Sequence, residues 1–275
     1  MSGAAGGPVR DGPVWLVGAG NMGGAMLRGW IAAGRDPRTI VVIDPGAADM
    51  PAGVLALPAP PPDGAAPAVL VLAVKPQLLD RVAPALAPML AAETLLVSIL
   101  AGVEIASLKA RFAAPETIVR CMPNLPAAIG RGVTALYSPR LTRDVREVAT
   151  GLVAPLGDVE WIDEEGLFDA VTALSGCGPA FLFRFVEAMA AAGEELGLPA
   201  DQAARLALAT VAGSATMAAG ADEPPATLAD RVASPGGSTR EGLNVLDADG
   251  AIMALMRRTL AASARRNAEL AAAAR

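Results

Sequence analysis

Short apolar runs alternate with amphipathic segments from residue 13 to about residue 165, and this alternation constrains the fold more than any other feature of the sequence. Near-continuous apolar strands separated by helices are typical of a parallel sheet that helices cover on both faces. The pattern predicts an α/β domain over residues 13–165, preceded by a flexible tail, 1–12. The apolar runs are VWLVG (14–18), TIVVID (39–44), VLVLAV (69–74), TLLVSIL (94–100) and TIVRCM (117–122).

Two parts of this region depart from the simple alternation. Residues 45–67 are rich in proline and glycine, so we expect a shortened or irregular connection there rather than a helix. The segments GVTALYS and DVEWID predict two further strands late in the domain.

The pattern changes after about Glu165, where long helical segments replace the short apolar runs. We predict an all-helical second domain over residues 166–275. Its faces of small residues, such as AMAAAGEE and TVAGSATMAAG, permit close packing within one core. The last helix is strongly apolar on one side, so packing against a second subunit is the alternative that stays open.

Charge and composition argue against several classes of protein. The formal net charge is −6, whereas nucleic-acid-binding proteins normally have a basic face, so we expect no nucleic-acid partner. We find neither the apolar core of a signal peptide nor a run of about 18 apolar residues, and we therefore expect a soluble protein without a membrane partner. Cys121 and Cys177 lack metal-ligand spacing, which predicts reduced thiols, no metal site and a cytoplasmic protein.

A GxGxxG motif lies between the first predicted strand and a predicted helix. In this motif the first glycine makes a tight turn, the second lets the backbone approach a pyrophosphate, and the third lets helix and strand pack closely. A plain glycine-rich turn is the alternative, but the strand before and the helix after favour a Rossmann dinucleotide-binding domain. We expect cofactor contacts from Gly18, Ala19, Gly20, Asn21, Met22 and Gly23.

Asp44 closes the second predicted strand, 26 positions after Gly18. An acid at this place typically binds the ribose hydroxyls of the cofactor and repels a 2′-phosphate, which favours NADH over NADPH. Asp also suits a turn such as DPG, and that role is the alternative.

Two further strand ends predict cofactor contacts, because ligands of such sheets lie beyond the carboxyl ends of the strands. AVKPQ follows the third apolar run and contributes Ala73, Val74, Lys75 and Pro76. SILAG follows the fourth and contributes Leu100 and Ala101 to the predicted nicotinamide-ribose side. For Lys75, an ordinary surface lysine is the alternative.

Five motifs in the same order give the chain a family resemblance. They are GAGNMGGAM, AVKPQ, RCMPNLPAAIGRG, TALSGCGPAFLF and RVASPGGSTREGL, and together they resemble the pyrroline-5-carboxylate reductases. The resemblance implies a Rossmann domain followed by a helical dimerisation domain, with the substrate between them. It also implies a homodimer, in many relatives assembled into a decamer, that reduces pyrroline-5-carboxylate to L-proline with NADPH or NADH.

The same resemblance assigns individual residues. It places Asn124 beside the nicotinamide, and it places the substrate carboxylate and ring nitrogen at the break in VASPGGSTREGL. Asp222 matches an acid near the substrate end of the helical domain. The implied substrate contacts are Ser234, Gly236, Gly237, Ser238, Thr239 and Asp222.

Three residues depart from the family pattern. Cys177 replaces a serine in SGCGPA, and Phe181 keeps an aromatic ring but lacks the hydroxyl of the usual tyrosine. Imine reduction needs no nucleophile, so we interpret Cys177 as a small buried hydrophobic residue rather than a catalytic one. Asp44 puts the NADPH preference of many relatives in doubt.

The implied chemistry needs neither a metal nor a histidine, and the chain has no histidine. A protonated cyclic imine is already an electrophile, so the protein has to align the reactants and handle one proton. We expect Thr239 to donate or relay that proton. The glycines of the break, with Pro235 before them and a helix beginning near Arg240, predict free N–H groups that bind a carboxylate; a helix-capping turn explains only part of the motif.

Two other functions stay open on the sequence. A β-hydroxyacid dehydrogenase has a similar layout but uses a catalytic lysine in the second domain, and no lysine follows Lys109 here. A non-enzymatic dinucleotide-sensing protein would carry the same glycine motif, and only an activity assay separates it from a reductase.

Overall fold

The computed structural model describes residues 12–47, 50–62 and 64–273. Except for Gly12, the predicted tail 1–12 therefore lies outside the described residues. One sheet contains eight strands, with the bounds β1 (Val14–Val17), β2 (Ile40–Ile43), β3 (Leu55–Leu57), β4 (Val69–Leu72), β5 (Leu95–Ser98), β6 (Thr117–Met122), β7 (Gly132–Tyr137) and β8 (Gly157–Trp161).

Strand order in the sheet is β3-β2-β1-β4-β5-β6-β7-β8. Strand β1 pairs in parallel with β2 on one side and with β4 on the other, and Val17 lies opposite both Ile43 and Leu72. The order of connections reverses between β1 and β4, and in sheets of this type ligands bind beyond the carboxyl ends of the strands at that point. The predicted α/β class is confirmed.

The end of the sheet differs from the expected all-parallel arrangement. Strand β7 is antiparallel to β6, and β8 is parallel to β7. The connection 123–131 is shorter than the dozen or so residues that a parallel crossover needs, so the chain has to turn back.

The irregular connection 45–67 contains no helix in its described residues, as expected, but it contains the short strand β3. Leu55 pairs with Val41 of β2 at the edge of the sheet, and half of its side chain is exposed. A strand of three residues is too short to show an alternating pattern, which is why the sequence did not reveal it.

Helices cover both faces of the sheet, as predicted. Along β1 the side chains alternate between two buried clusters. Val14 and Leu16 pack in the cluster that contains Trp30, whereas Trp15 and Val17 pack in the cluster that contains Phe112.

The α-helices are α1 (Asn21–Ala32), α2 (Leu79–Leu86), α3 (Ile105–Arg111), α4 (Arg143–Val153), α5 (Phe168–Val171), α6 (Gly178–Glu195), α7 (Ala200–Ala219), α8 (Pro225–Arg231), α9 (Ser238–Asp247) and α10 (Ala251–Ala273). A single π-helical turn, Thr172–Gly176, follows α5.

The described residues form two compact units. The first runs to Cys177 and includes the residues from Ser263 onward; the second is Gly178–Ala262. The predicted division at residue 165 stays a prediction. Residues just after it are tied to the first unit, because Glu165 accepts hydrogen bonds from the Ile105 N–H at 2.8 Å and from Arg120 at 2.9 Å.

The second unit has few buried side chains of its own: only Ala203, Ala207 and Ala233 are buried within Gly178–Ala262. Its large apolar side chains are exposed at many positions along α6, α7, α9 and α10. They include Leu182, Phe183, Phe185, Leu206, Leu208, Met217, Val245, Met253 and Leu255.

One helical stretch, Glu165–Glu195, is long and apolar enough by composition to cross a membrane, with a mean hydropathy of 1.3 in its most apolar window. The search for a run of about 18 apolar residues did not find this stretch, because it is apolar only on average. Arg184 is the only charged residue between Asp169 and Glu187, while glycines and hydroxyls interrupt the run that a search for uninterrupted apolar residues would find. Such a helix is weak evidence for a membrane span.

Candidate functional site

The three glycines of the GxGxxG motif differ in what surrounds them. A Cβ on Gly18, whose φ is +95°, would lie 2.7 Å from the Ala73 carbonyl oxygen, and a Cβ on Gly23 would overlap the Gly18 carbonyl oxygen. A Cβ on Gly20 would meet no atom within 4 Å. Gly18 and Gly23 therefore allow the loop, β4 and α1 to pack, and Gly20 faces open space.

The N-terminus of α1 follows this open face. Gly20 is the N-cap residue and no side chain caps the helix there. The first N–H groups of a helix have no partner within it, so those of Asn21, Met22 and Gly23 remain available to an anion. The loop thus fits a cofactor pyrophosphate: the space at Gly20 lets the pyrophosphate approach the backbone, and the N–H groups at the start of α1 can donate to it.

Asp44 lies directly after β2 and contacts the same loop. One carboxylate oxygen accepts the Ala19 N–H at 2.7 Å, and the other accepts the Gly46 N–H at 2.8 Å. The contact with Gly46 is the turn that a DPG sequence favours, and the contact with Ala19 joins the carboxylate to the predicted cofactor loop. Asp44 thus makes the turn contact and also contacts the glycine loop.

The segments after β4 and β5 lie at the carboxyl ends of these inner strands, as the glycine loop does after β1. Ala73 continues the pairing with β1 by donating to the Val17 carbonyl at 2.8 Å. Lys75 is exposed at the start of the turn Pro76–Leu78. Of the pair after β5, Ala101 is exposed but the Leu100 side chain is buried, so Leu100 can offer a ligand only its backbone.

Asn124 makes two structural contacts with its side-chain amide. Its oxygen accepts the Val133 N–H at 3.0 Å, and its NH2 group donates to the Ser175 carbonyl at 3.1 Å. The amide thereby joins the Met-Pro-Asn turn to β7 and to the π-helical turn. The sequence did not predict the π-helical turn Thr172–Gly176, although single π-helical turns are frequent at functional sites.

The two cysteines differ in environment, and both are free thiols. Cys121 is buried, and desolvation raises the pKa of its thiol. Cys177 is only half-buried, and the Ser263 hydroxyl donates to its sulfur at 3.2 Å. The interpretation of Cys177 as a buried hydrophobic residue is therefore corrected: its sulfur is a hydrogen-bond acceptor at a partly exposed place. In the described ranges no cluster of acidic and cysteine side chains could hold a metal ion.

The break in VASPGGSTREGL is a tight turn followed directly by α9. Gly236 has a φ of +70°, and the Gly237 N–H donates to the Ser234 carbonyl at 2.9 Å. Helix α9 begins at Ser238, two residues before the predicted start, with Gly237 as an N-cap that no side chain satisfies. This corrects the expected arrangement, since the turn itself uses the Gly237 N–H.

The donors that remain are the N–H groups of the first turn of α9, including those of Ser238 and Thr239. The side chains of Ser234, Ser238 and Thr239 are exposed beside them. Arg240, which the sequence marked only as the approximate start of the next helix, joins this turn to α8 through a 2.8 Å ion pair with Asp230. An uncapped helix start with hydroxyls around it can bind a small carboxylate.

Asp222 lies on the exposed bend between α7 and α8. Within the described part of the chain no hydrogen bond or ion pair joins it to Ser234–Thr239. The structure thus brings Ser234, Ser238 and Thr239 together at the start of α9, and it shows no direct bond from Asp222 to them among the described residues.

Comparison with known proteins shows which families the two parts of the chain resemble. Residues 165–270 match the family model for pyrroline-5-carboxylate reductase dimerisation, and residues 13–102 match that for NADP oxidoreductase, coenzyme F420-dependent. The pyrroline-5-carboxylate reductase of Pseudomonas aeruginosa is 42% identical over 93% of this chain and 96% of its own length. That of Glycine max is 35% identical over 96% of this chain and 97% of its own length.

Solved structures are similar over the same length. The Coxiella burnetii pyrroline-5-carboxylate reductase superposes with a TM-score of 0.87 at 32% identity, covering 95% of this chain and 99% of its own. The Plasmodium falciparum pyrroline carboxylate reductase, solved with NADP bound, gives a TM-score of 0.80 at 25% identity, covering 96% of this chain and all of its own. Fold, motifs and full-length similarity agree, and the chain belongs to the pyrroline-5-carboxylate reductase family.

Proposed function

We propose that the glycine loop and the start of α9 are the two binding sites of the reaction that this family catalyses. The chain reduces 1-pyrroline-5-carboxylate to L-proline with NAD(P)H, as its relatives of the same length do. The observation that carries the site proposal is the open face at Gly20 beside the uncapped start of α1.

We assign the cofactor contacts to the loop Gly18–Gly23, Asp44, the segment Ala73–Pro76, the backbone of Leu100 and Ala101, and Asn124. When bound, the reduced nicotinamide supplies a hydride. The N–H groups of the loop bind the pyrophosphate, and the close packing at Gly18 and Gly23 fixes their direction. Asn124 acts chiefly by holding its turn, because both ends of its amide are hydrogen-bonded.

We assign the substrate carboxylate to the first turn of α9. The N–H groups of Ser238 and Thr239 and the hydroxyls of Ser234 and Ser238 are the donors there. Gly236 and Gly237 shape the turn, and Asp222 stays a candidate on the family resemblance alone. The Thr239 hydroxyl donates a proton to the ring nitrogen and regains one from water, or relays one from water, and the imine carbon gains the hydride. The C=N double bond thereby becomes a C–N single bond with one new C–H and one new N–H bond.

We also propose that the chain is a homodimer, and that the larger assembly implied by the family resemblance is a decamer of such dimers. The large apolar side chains of the second unit are exposed, which favours their burial by a second copy. They lie in the region that matches a dimerisation family. We propose the cytoplasm as compartment, with neither nucleic acid nor a membrane as partner.

The test is reduction of pyrroline-5-carboxylate by the purified full chain. We expect loss of the absorbance of NADH or NADPH only when the substrate is supplied, with proline as the product by chromatography. A sensing protein would bind the cofactor without consuming it. If neither cofactor is oxidised over a broad pH range, the proposed function is wrong.

A further inference from the structure

The C-terminal half of α10 packs against the rest of the first unit along one face. Ser263, Asn267 and Ala271 follow one another at intervals of four residues, so their side chains lie on the same side of the helix. These three side chains are buried or half-buried, whereas residues 265–266 and 268–270 are exposed. We call Ser263, Asn267 and Ala271 the docking face of α10.

Two hydrogen bonds join the docking face to the segment that contains the π-helical turn. The Ser263 hydroxyl donates to the sulfur of Cys177 at 3.2 Å, and the Asn267 side-chain NH2 donates to the Asp169 carbonyl at 3.4 Å. Asp169 lies in α5, just before the π-helical turn Thr172–Gly176, and Cys177 follows it directly. Helix α10 therefore holds this turn from both of its ends.

The third residue of the docking face, Ala271, packs against the turn that follows β5. A Cβ built on Gly102 would lie 3.3 Å from the backbone nitrogen of Ala271, and the φ of Gly102 is +74°. A larger residue at Gly102 would be both strained and crowded. The close contact between turn and helix thus depends on a glycine on one side and a buried alanine on the other.

The two segments that α10 contacts are the ones assigned to the nicotinamide end of the cofactor. The turn Leu100–Gly102 includes both backbone contacts proposed after β5. The π-helical turn accepts the Asn124 amide through the Ser175 carbonyl at 3.1 Å. The glycine loop, assigned to the pyrophosphate, instead packs against β4 and α1. A disturbance of the docking face should therefore reach the nicotinamide end first.

We propose that the docking face of α10 is a positioning element for hydride transfer, an inference that rests on the proposed reduction of pyrroline-5-carboxylate with NAD(P)H. Ser263, Asn267 and Ala271 act through the turns that they hold, and they set the spacing that aligns the nicotinamide with the imine carbon. A displacement of about 1 Å at a reacting centre can lower a rate about a hundredfold. Loss of the docking contacts should therefore lower turnover before it lowers cofactor affinity.

The first test is Asn267→Asp in the full-length protein. The side chain keeps its size, but the donor to the Asp169 carbonyl becomes an acceptor that this carbonyl repels. We expect kcat with pyrroline-5-carboxylate to fall at least about tenfold. The dissociation constant of NADH, measured by fluorescence titration, should stay unchanged, because the glycine loop is not disturbed.

Amide hydrogen exchange of the protein without cofactor gives a readout that does not depend on activity. In Asn267→Asp, exchange should become faster in peptides that cover residues 98–105 and 168–178, because both segments lose part of their support. Exchange in peptides that cover residues 14–24 should stay unchanged.

Ala268→Asp is the matched control. It adds the same charge one residue further along, on the exposed side of α10, and should change neither turnover nor exchange. A second variant, Ser263→Ala, removes the donor to Cys177 and should change both readouts in the same direction as Asn267→Asp. Cys177→Ser keeps an acceptor for the Ser263 hydroxyl and should keep turnover.

Unchanged turnover and exchange in a folded Asn267→Asp variant would overturn the inference, and so would an equal loss in Ala268→Asp. Lower thermal stability with unchanged turnover would show a purely structural role and would overturn it as well. If Asn267→Asp fails to fold, Ser263→Ala decides by the same two readouts. Turnover by the unmodified chain judges the proposed function separately: if it is absent, the function is wrong, whereas full turnover in Asn267→Asp removes only the role of α10.

Discussion

Replacing Gly20 by alanine tests whether the open face of the glycine loop is where the cofactor approaches. Gly20 has φ −63° and ψ −162°, a conformation that alanine also adopts, and a Cβ there meets no protein atom within 4 Å. Alanine is a poorer N-cap than glycine, so we expect the free energy of unfolding to fall by less than about 1 kcal/mol. A pyrophosphate that approaches this backbone would meet the added methyl group, and the dissociation constant of NADH should rise at least tenfold, by about 1.4 kcal/mol.

Two other glycines provide controls for this variant. A Cβ on Gly213, in α7, also meets no atom within 4 Å. Gly213→Ala should therefore leave NADH binding unchanged and stabilise the helix by about 0.5–1 kcal/mol. Gly23→Ala should instead act mainly on stability. Its Cβ would overlap the Gly18 carbonyl oxygen, so helix and strand have to separate and the free energy of unfolding should fall by about 3 kcal/mol.

The assay combines fluorescence titration with NADH and unfolding in urea, followed by circular dichroism. The expected pattern is weak binding with a stable fold for Gly20→Ala, and an unstable fold for Gly23→Ala. Unchanged NADH affinity in a folded Gly20→Ala variant would refute the reasoning, because the pyrophosphate would then not approach this loop.

Three further predictions follow from the same structure. Thr239→Ala should lower kcat by about a hundredfold or more and leave the NADH dissociation constant unchanged, with activity returning in Thr239→Ser; equal losses of both would remove the proton role. Glu165→Gln should lower the free energy of unfolding in urea by about 2 kcal/mol, because it leaves the buried Arg120 without its counter-charge. As a control, Glu116→Gln removes the acid of an exposed ion pair and should lower the same free energy by less than about 0.5 kcal/mol. Burial raises the pKa of the Cys121 thiol, so the folded chain keeps it neutral and loses stability as the pH rises above the ordinary thiol pKa; alkylation followed by mass spectrometry should label Cys121 only in urea, and labelling of the folded protein would contradict this.

The inner strands β1, β2, β4 and β5 were predictable because each lies in a continuous apolar run with loop residues at both ends. Val14–Val17 and Thr117–Met122 are read directly from hydrophobicity, and burial on both faces of the sheet explains why no polar residue alternates in β1. The antiparallel direction of β7 could not be predicted from the residues of the strand itself. The short connection before it decides the direction, and β3 depends on a neighbouring edge rather than on its three residues.

The sites divide in a similar way. The roles of Gly18, Gly20 and Gly23 follow from local backbone geometry, and the sequence predicted the close packing that the structure contains. The Gly237 N–H and the Asn124 amide were assigned to ligands by sequence, but the structure uses them in hydrogen bonds to Ser234 and to Ser175. The fold brings such hydrogen-bond partners together. A sequence motif does not specify whether a polar group is free to bind a ligand or is already hydrogen-bonded within the protein.

This distinction separates two kinds of motif residue that a sequence comparison treats alike. A side chain such as Asn124, bonded at both ends, acts through the turns that it joins, and its loss should lower thermal stability together with activity. An exposed hydroxyl such as Thr239, at a helix start without a side-chain cap, has no structural partner in the described second unit, so its loss should lower turnover alone. Measuring stability and turnover in the same variants therefore sorts the residues of each motif into those that shape the site and those that contact the substrate.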